Sequence, residues 1–286
     1  MASNSGEEKL ALSLISPYLA FFILITIYPV IYNVVLSLER RGVLTLVNYA
    51  EVLSDPNFPL ILYNTFIWTI GSVTFQFLVG IGVALLLNEN FPAKRLFTAL
   101  IITVPWAMPD VVAGITWRWM YSDVYGVIND LMMKLGLISY PLPWLGDINL
   151  ARIAVIIANI WKGFPISALI YLSALKTIPD ELYEAAKIDG ASAWVRFKDV
   201  TLPLLSPIIK TTVMLTVIWT VNYFPLIYVM TGGGPANATD TLVTYAYRIS
   251  FKFTNFSVGA AWATFTFLLM LAFAVVYTKT LMGGRT

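Results

Sequence analysis

The chain has 286 residues, of which 58% are hydrophobic and 12% are charged, and its mean hydropathy is +0.77. Because soluble domains carry about twice this share of charged residues, the composition indicates an integral membrane protein. The net charge of +2 gives no reason to expect a nucleic-acid partner, and the absence of cysteine and histidine excludes disulfides, thiolate chemistry and the usual general base.

Six apolar stretches are long enough to cross a bilayer as helices, each of which needs about 20 mainly apolar residues. We expect an all-α membrane protein with a single transmembrane domain over residues 1–286 and spans at 10–38, 60–88, 96–120, 153–175, 203–230 and 255–279. Glu7, Glu8 and Lys9 precede a first span far longer than a signal-peptide core, so we expect this span to be retained. Six spans place both termini on one side, and a small excess of lysine and arginine in the loops of that side predicts that it is cytoplasmic.

Two charged side chains fall inside the expected spans, where burying a charge is costly. Asp110 lies about 13 residues from the inner end of span three and Lys162 about 12 residues from that of span four, so at 1.5 Å per residue both lie roughly 18–20 Å deep. Their equal depth suggests that they pair or share one water-filled cavity. The alternative is that each is satisfied separately, Lys162 by backbone carbonyls and Asp110 by nearby hydroxyls and amides.

Aromatic and amide side chains lie at the same depth: Trp106, Trp117, Asn159, Trp161, Trp219, Asn222, Tyr223 and Phe224. Sugars present apolar ring faces and hydroxyl groups, which such a mixture suits, although most membrane tryptophans are interfacial anchors or packing residues. Asn222 and Tyr223 are the strongest candidates, because they precede Pro225 and a broken helix exposes its backbone to a cavity. We expect a substrate pathway formed by Trp106, Asp110, Asn159, Lys162, Asn222 and Tyr223.

A charged, helix-prone loop, residues 176–202, separates the fourth and fifth spans. The Thr177 hydroxyl and Pro179 predict a helix start, and Asp189-Gly190 predicts its end, because glycine adopts the left-handed conformation without strain. A second amphipathic segment, residues 193–200, is expected to end at a break at Leu202-Pro203.

This loop carries Glu184-Ala185-Ala186, then Gly190, nine further residues and the sequence Val-x-Leu-Pro. The combination resembles the signature loop of ABC-importer membrane subunits, whereas Glu-Ala-Ala-Lys alone is typical of any solvated helix. Further stretches resemble the first permease subunit of carbohydrate-uptake importers of the maltose type: Ser16-Pro17-Tyr18, Val104 to Pro109, Trp161 to Pro165, and Tyr228 to Pro235.

The resemblance implies a type I importer permease fold in the cytoplasmic (inner) membrane, with a cytoplasmic coupling helix. It implies a heterodimer with a second permease, two ATP-binding subunits and an extracytoplasmic solute-binding protein, and import of a disaccharide or short oligosaccharide by alternating access. The residues expected to contact the ATP-binding subunit are Glu184, Ala185, Ala186, Asp189 and Gly190, and those expected near the solute-binding protein are Gly232, Gly233, Gly234 and Pro235. ATP and magnesium are expected on the partner subunits and no cofactor on this chain, which lacks a phosphate-binding loop and is not expected to be an enzyme.

Two other functions fit parts of the sequence. Permeases for glycerol-3-phosphate or its diesters look alike, but an excess of cations in the cavity would favour them, and Lys162 is a single cation. An ion-coupled secondary transporter would need coupling carboxylates within the membrane, where only Asp110 qualifies, and no inverted repeat is evident.

Overall fold

The computed structural model describes residues 5–282 and gives side-chain surroundings for residues 12–280. Among these residues the strands are the two arms of one antiparallel hairpin, β1 (Glu39–Arg40) and β2 (Val43–Leu44), with Glu39 opposite Leu44. In chain order the helices are α1 Ser5–Phe22, α2 Tyr28–Leu38, α3 Val47–Ser54, α4 Phe58–Asn88, α5 Lys94–Thr98, α6 Val104–Ala107, α7 Asp110–Met120, α8 Val127–Lys134, α9 Ile148–Leu175, α10 Asp180–Ile188, α11 Ala193–Arg196, α12 Leu202–Val221, α13 Pro225–Thr231, α14 Leu242–Tyr247 and α15 Phe256–Tyr277. Short π-helical turns extend or join several of them: Ile23–Ile27, Ala99–Thr103, Phe197–Thr201, Arg248–Lys252 and Thr278–Met282.

The structure contains two compact units. Among the described residues, one unit comprises residues 5–56 together with Ala246–Phe267, and the other comprises Asn57–Tyr245 together with residues 268–282. In the first unit the Asn33 amide of α2 donates a hydrogen bond to Thr264 Oγ1 of α15 at 3.0 Å. The expectation of one transmembrane domain stays a prediction.

The second unit is built around α4 and α9, two long helices that pack along each other. Small side chains allow the close approach: Ala84, Ala154, Ala158 and Ala168 are fully buried at 0% exposure. Since lipid tails are as apolar as the side chains, membrane helices depend on such close packing for their association. Buried residues of α7, α12 and α13 complete the core against this pair.

Five described helices are long and apolar enough to cross a membrane, or six if one bent pair is counted as a single span. They are Leu12–Leu38, Phe58–Asn88, Ile148–Leu175, Ala193–Val221 and Phe256–Thr280, with Lys94–Ala107 and Asp110–Met120 as the bent pair. Each overlaps one of the expected spans. The number of membrane crossings itself stays a prediction.

The third expected span is not one continuous helix. Its halves, Lys94–Ala107 and Asp110–Met120, meet at 107°. Pro109 lies at the junction, and proline has no backbone N–H with which to continue the helical hydrogen bonds. The fifth expected span is also divided, because α12 ends at Val221 and α13 begins at Pro225, where the kink was expected.

Two expectations about the charged loop are wrong. The Leu202-Pro203 sequence does not interrupt the helix, which continues from Ala193 to Val221. The π-helical turn Phe197–Thr201 precedes this proline, and such local adjustments satisfy the backbone groups that a proline frees. Thr177 does not cap α10: its hydroxyl donates to the Ala174 carbonyl at 2.8 Å, and Pro179 occupies the cap position.

Candidate functional site: a cavity at two broken helices

A cavity of about 440 Å³ lies in the second unit, beside the middle of α9. All six residues of the expected substrate pathway line it: Trp106, Asp110, Asn159, Lys162, Asn222 and Tyr223. The other lining residues are Gln76, Gly163, Ile166, Ser167, Thr216, Trp219 and Thr220. The structure thus brings the predicted residues together, while their contact with a substrate stays a prediction.

The Lys162 ammonium lies at the break between α6 and α7. It donates hydrogen bonds to the carbonyls of Pro105 at 3.1 Å and Trp106 at 3.2 Å, and to that of Met108. Its Nζ lies 3.4 Å from Asp110 Oδ1, and the lysine side chain is only 13% exposed. The two arrangements left open by the sequence therefore occur together, because Lys162 both pairs with Asp110 and binds backbone carbonyls.

Asp110 connects this break to the second one. It is the first residue of α7, where the helix dipole favours a carboxylate. The Tyr223 hydroxyl, in the break between α12 and α13, donates to Asp110 Oδ1 at 2.7 Å. The neighbouring Asn222 is exposed and donates its amide to the Ile218 carbonyl at 2.8 Å.

Asn159 and Gln76 bring amide groups from α9 and α4 to the cavity. Asn159 is 4% exposed, and its Nδ2 is buried without a hydrogen-bond partner among the described residues. The Gln76 amide donates to the Asn159 carbonyl at 3.1 Å. Gly163 makes room for this contact, because a Cβ at that position would lie 2.4 Å from Gln76 Nε2. Gln76 was not among the residues predicted to line the pathway, although an uncharged amide in the middle of a mainly apolar span is a signal for it.

Three of the aromatic side chains at this depth do not line the cavity. Trp117 and Trp161 contact each other edge to face, with ring centroids 5.7 Å apart, and pack against the core beside α7 and α9. Phe224 stacks on Tyr228 with centroids 4.9 Å apart. These three rings therefore pack against other aromatic rings and do not line the cavity.

The predicted coupling residues lie at the surface of the loop between α9 and α12. Glu184, Ala185, Asp189 and Gly190 are exposed, and Ala186 is half-buried.

The end of α10 has the geometry that its sequence predicted. Gly190 has φ +77°, and its N–H donates to the Lys187 carbonyl at 3.0 Å. The following N–H, of Ala191, donates to the Ala186 carbonyl at 2.9 Å. These two bonds form a Schellman motif, which satisfies the last carbonyls of the helix.

One contact joins α10 to the helix that leads to the cavity. The Tyr183 hydroxyl lies 2.9 Å from Thr201 Oγ1, at the end of the π-helical turn that continues into α12. The helix Ala193–Val221 then ends directly before Asn222 and Tyr223, so a single continuous helix connects the base of the charged loop with the cavity.

The segment Gly232–Pro235 forms a turn after α13. Side chains of α4 and α9 hold the loop that follows it. Arg152 Nε donates to the Ala238 carbonyl at 3.0 Å and to Asn64 Oδ1 at 3.2 Å, and the Asn64 amide donates to the Asn237 carbonyl at 2.8 Å. The loop that directly follows the turn is therefore held in place by side-chain hydrogen bonds.

These features define a class of protein: a helical membrane subunit whose broken spans border a cavity lined by aromatic and polar side chains, and whose charged loop presents an exposed helix. Residues 76–282 match the family described as the binding-protein-dependent transport system inner membrane component. The chain belongs to this family and is the inner-membrane permease component of an ABC importer, not an enzyme. The predicted family and fold class are confirmed.

Known proteins resemble it over nearly the whole chain. It is 36% identical to the trehalose/maltose transport system permease protein MalF of Thermococcus litoralis, over 96% of this chain and 94% of that protein. It is 34% identical to the sulfoquinovosyl glycerol transport system permease protein SmoG of Agrobacterium fabrum, over 96% of this chain and 91% of that protein. A chain of the bacterial alginate ABC transporter, solved in complex with an alginate pentasaccharide-bound periplasmic protein, shares the fold with a TM-score of 0.86 at 21% identity, over 96% of this chain and 95% of that one.

Proposed function

We propose that this permease carries a sugar, a disaccharide or short oligosaccharide, into the cytoplasm by alternating access. The observation that carries the proposal is the cavity, about 440 Å³ in volume, in which Trp106, Trp219 and Tyr223 lie with three amide side chains. That volume falls within the range of about 300–1,000 Å³ that is typical of small-molecule sites. Aromatic faces match the apolar faces of a sugar ring, and the amides match its hydroxyl groups. Two relatives are named as permeases for trehalose/maltose and for sulfoquinovosyl glycerol, and these names agree with this substrate class.

Within the cavity, Asn159 is the best candidate for a direct substrate contact. Its buried Nδ2 has no hydrogen-bond partner among the described residues, and a sugar hydroxyl would satisfy this donor when the cavity opens around Asn159. Asn222 and Tyr223 lie in the break of the fifth span and would move with it. We assign Trp106 and Trp219, both more than half exposed, to the sugar faces.

The permease works with partners in this proposal. A second, similar permease completes the pathway, two ATP-binding subunits hold ATP and magnesium, and this chain binds no cofactor. A solute-binding protein delivers the sugar from outside, where the turn Gly232–Pro235 would lie. Both termini and α10 face the cytoplasm.

Coupling follows the helix that starts beside α10. Glu184, Ala185, Ala186, Asp189 and Gly190 contact an ATP-binding subunit, and closure of these subunits around ATP moves α10. The Tyr183–Thr201 contact passes this movement to the helix Ala193–Val221, whose far end borders the cavity. The cavity then opens outward, and hydrolysis returns it to the inward-open state.

The alternatives named from the sequence gain no support from the cavity. A phosphate-bearing substrate would need an available cation, and Lys162 lies 3.4 Å from Asp110 Oδ1. Coupling to an ion would need a titratable carboxylate free to change partners, and Asp110 is held by both Lys162 and Tyr223.

The test is uptake by proteoliposomes that contain this chain with the second permease, the ATP-binding subunits and the binding protein encoded by neighbouring reading frames. Labelled disaccharides and short oligosaccharides, including maltose and trehalose, should accumulate only when ATP and the binding protein are both present. An ATP-binding subunit with its phosphate-loop lysine replaced by alanine is the control and should give no uptake. Uptake by this chain alone, or ATP-driven uptake of glycerol-3-phosphate but of none of the sugars, would contradict the proposal.

A further inference from the structure

The carbonyl groups around Lys162 belong to the end of a broken helix. Proline at position 109 cannot donate to the Pro105 carbonyl, and Asp110 begins the next helix instead of continuing this one. The carbonyls of Pro105, Trp106 and Met108 therefore need partners from elsewhere. Non-helical backbone at membrane depth is tolerated where it is buried in protein or lines a cavity, and this bend lies beside the cavity.

Lys162 supplies these partners with all of its donors. An ammonium group has three N–H donors, and the three carbonyls accept from it. The carboxylate of Asp110, 3.4 Å away, balances its charge, and positive charge is also favourable at the negative end of a helix. A substrate would find no donor on Lys162 unless it first displaced one of these carbonyls.

The same group also reaches the second break. Asp110 accepts from the Tyr223 hydroxyl at 2.7 Å, so the chain Lys162–Asp110–Tyr223 connects α9, the bend between α6 and α7, and the break between α12 and α13. Each of these three elements contributes lining residues to the cavity.

We infer that Lys162 is a positioning residue: it fixes the bend between α6 and α7 that shapes the cavity, and it does not bind the substrate. The inference rests on the proposed function only for its transport readout. Under this inference, Lys162 and Asp110 do not contact the substrate; they hold the residues that contact it in place.

The experiment measures the bend directly, and the natural absence of cysteine makes it straightforward. Leu100 and Ile115 lie on either side of the bend and are 56% and 57% exposed. Cysteines at both positions carry spin labels in the full complex in lipid nanodiscs, and pulsed electron resonance gives the distance distribution between them. Otherwise unchanged protein should give one narrow distance, and Lys162→Met should broaden it. Lys134→Met is the matched control, because it removes a lysine from an exposed pair with Asp130 and should leave the distance unchanged.

Uptake kinetics separate positioning from binding. Lys162→Met should reduce the maximal uptake rate together with the altered distance, and Lys162→Arg should restore part of both. An unchanged distance in Lys162→Met, with or without a raised substrate concentration at half-maximal uptake, would overturn the inference.

If Lys162→Met does not assemble, Asp110→Asn replaces it. This variant keeps an acceptor for Tyr223 but removes the balancing charge, so the distance should broaden less, and no broadening would contradict the inference. Lack of sugar uptake by the complex with unchanged Lys162 would count against the proposed function alone, since the distance measurement does not depend on transport.

Discussion

At the scale of single residues, the cavity depends on polar groups that the fold holds in otherwise apolar helices. Asn159 illustrates this, because its side chain is 4% exposed while its Nδ2 has no partner among the described residues. An unmade hydrogen bond on a buried donor is unfavourable, and a bound ligand that accepts from it removes that cost. This is the property expected of a substrate contact.

Replacing Asn159 by alanine should weaken substrate recognition without preventing assembly. One neutral hydrogen bond contributes about 0.5–1.5 kcal/mol, so the sugar concentration for half-maximal uptake should rise about 2- to 13-fold. Asn149→Ala is the control, because Asn149 is an exposed amide on the same helix outside the cavity. Equal kinetics for Asn159→Ala and Asn149→Ala would remove Asn159 from the pathway.

Depth along the spans was enough to predict that Asp110 and Lys162 lie together, because a helix rises by a fixed distance per residue. It was not enough to predict Gln76. The Gln76 side chain reaches the cavity because Gly163 leaves space opposite it. Whether Gln76 faces Gly163 depends on how each of the helices α4 and α9 is rotated about its own axis. Sequence gives the depth of a residue along a helix, whereas its direction depends on packing with neighbours that are distant in the chain.

At the scale of helices, the effect of a proline depends on the turn before it. Pro109 marks a bend of 107°, while Pro203 lies in a helix that continues to Val221. The π-helical turn Phe197–Thr201 ends two residues before Pro203, whereas Pro109 belongs with Met108 to the non-helical pair that forms the bend. The sequence predicted a break at Leu202-Pro203 and a single span over 96–120 that carries the charge of Asp110, because it shows where the prolines lie but not the local backbone geometry around each of them.

The coupling role of α10 gives a prediction about Gly190. Gly190 has φ +77°, and no atom of the described chain lies within 4 Å of an added Cβ. Gly136, at the end of α8, has φ +70° and is equally open. A tryptophan at either position therefore meets a similar backbone strain, roughly 1–2 kcal/mol, and its Cβ has no atom of the described residues within 4 Å.

Gly190→Trp should abolish uptake while the subunit still reaches the membrane, because the side chain would occupy the contact with the ATP-binding subunit. Gly136→Trp should keep most of the uptake. Membrane content by immunoblot and uptake in cells are the two measurements. Similar uptake by both variants would argue against α10 as the coupling helix.

At the scale of the whole molecule, the proposal requires one topology. An exposed helix between the fourth and fifth spans can transmit nucleotide-driven movement only if it lies in the cytoplasm, where ATP is available. The family and its fold are established for this chain, whereas the number of crossings and the side of each loop are predictions from span length and charge. Charge gave only a small bias, because lysine and arginine occur in loops on both sides.

The side on which α10 lies is therefore the most direct test. Single cysteines at Ile188, 86% exposed beside Gly190, and at Leu135, 71% exposed after α8, have no competing thiols in this chain. Right-side-out membrane vesicles that contain the permease pair without its ATP-binding subunits are treated with a membrane-impermeant maleimide. The Leu135→Cys variant should react in intact vesicles, and the Ile188→Cys variant should react only after permeabilisation. Reaction of Ile188→Cys in intact vesicles would place α10 outside the cell and contradict an importer driven through this helix.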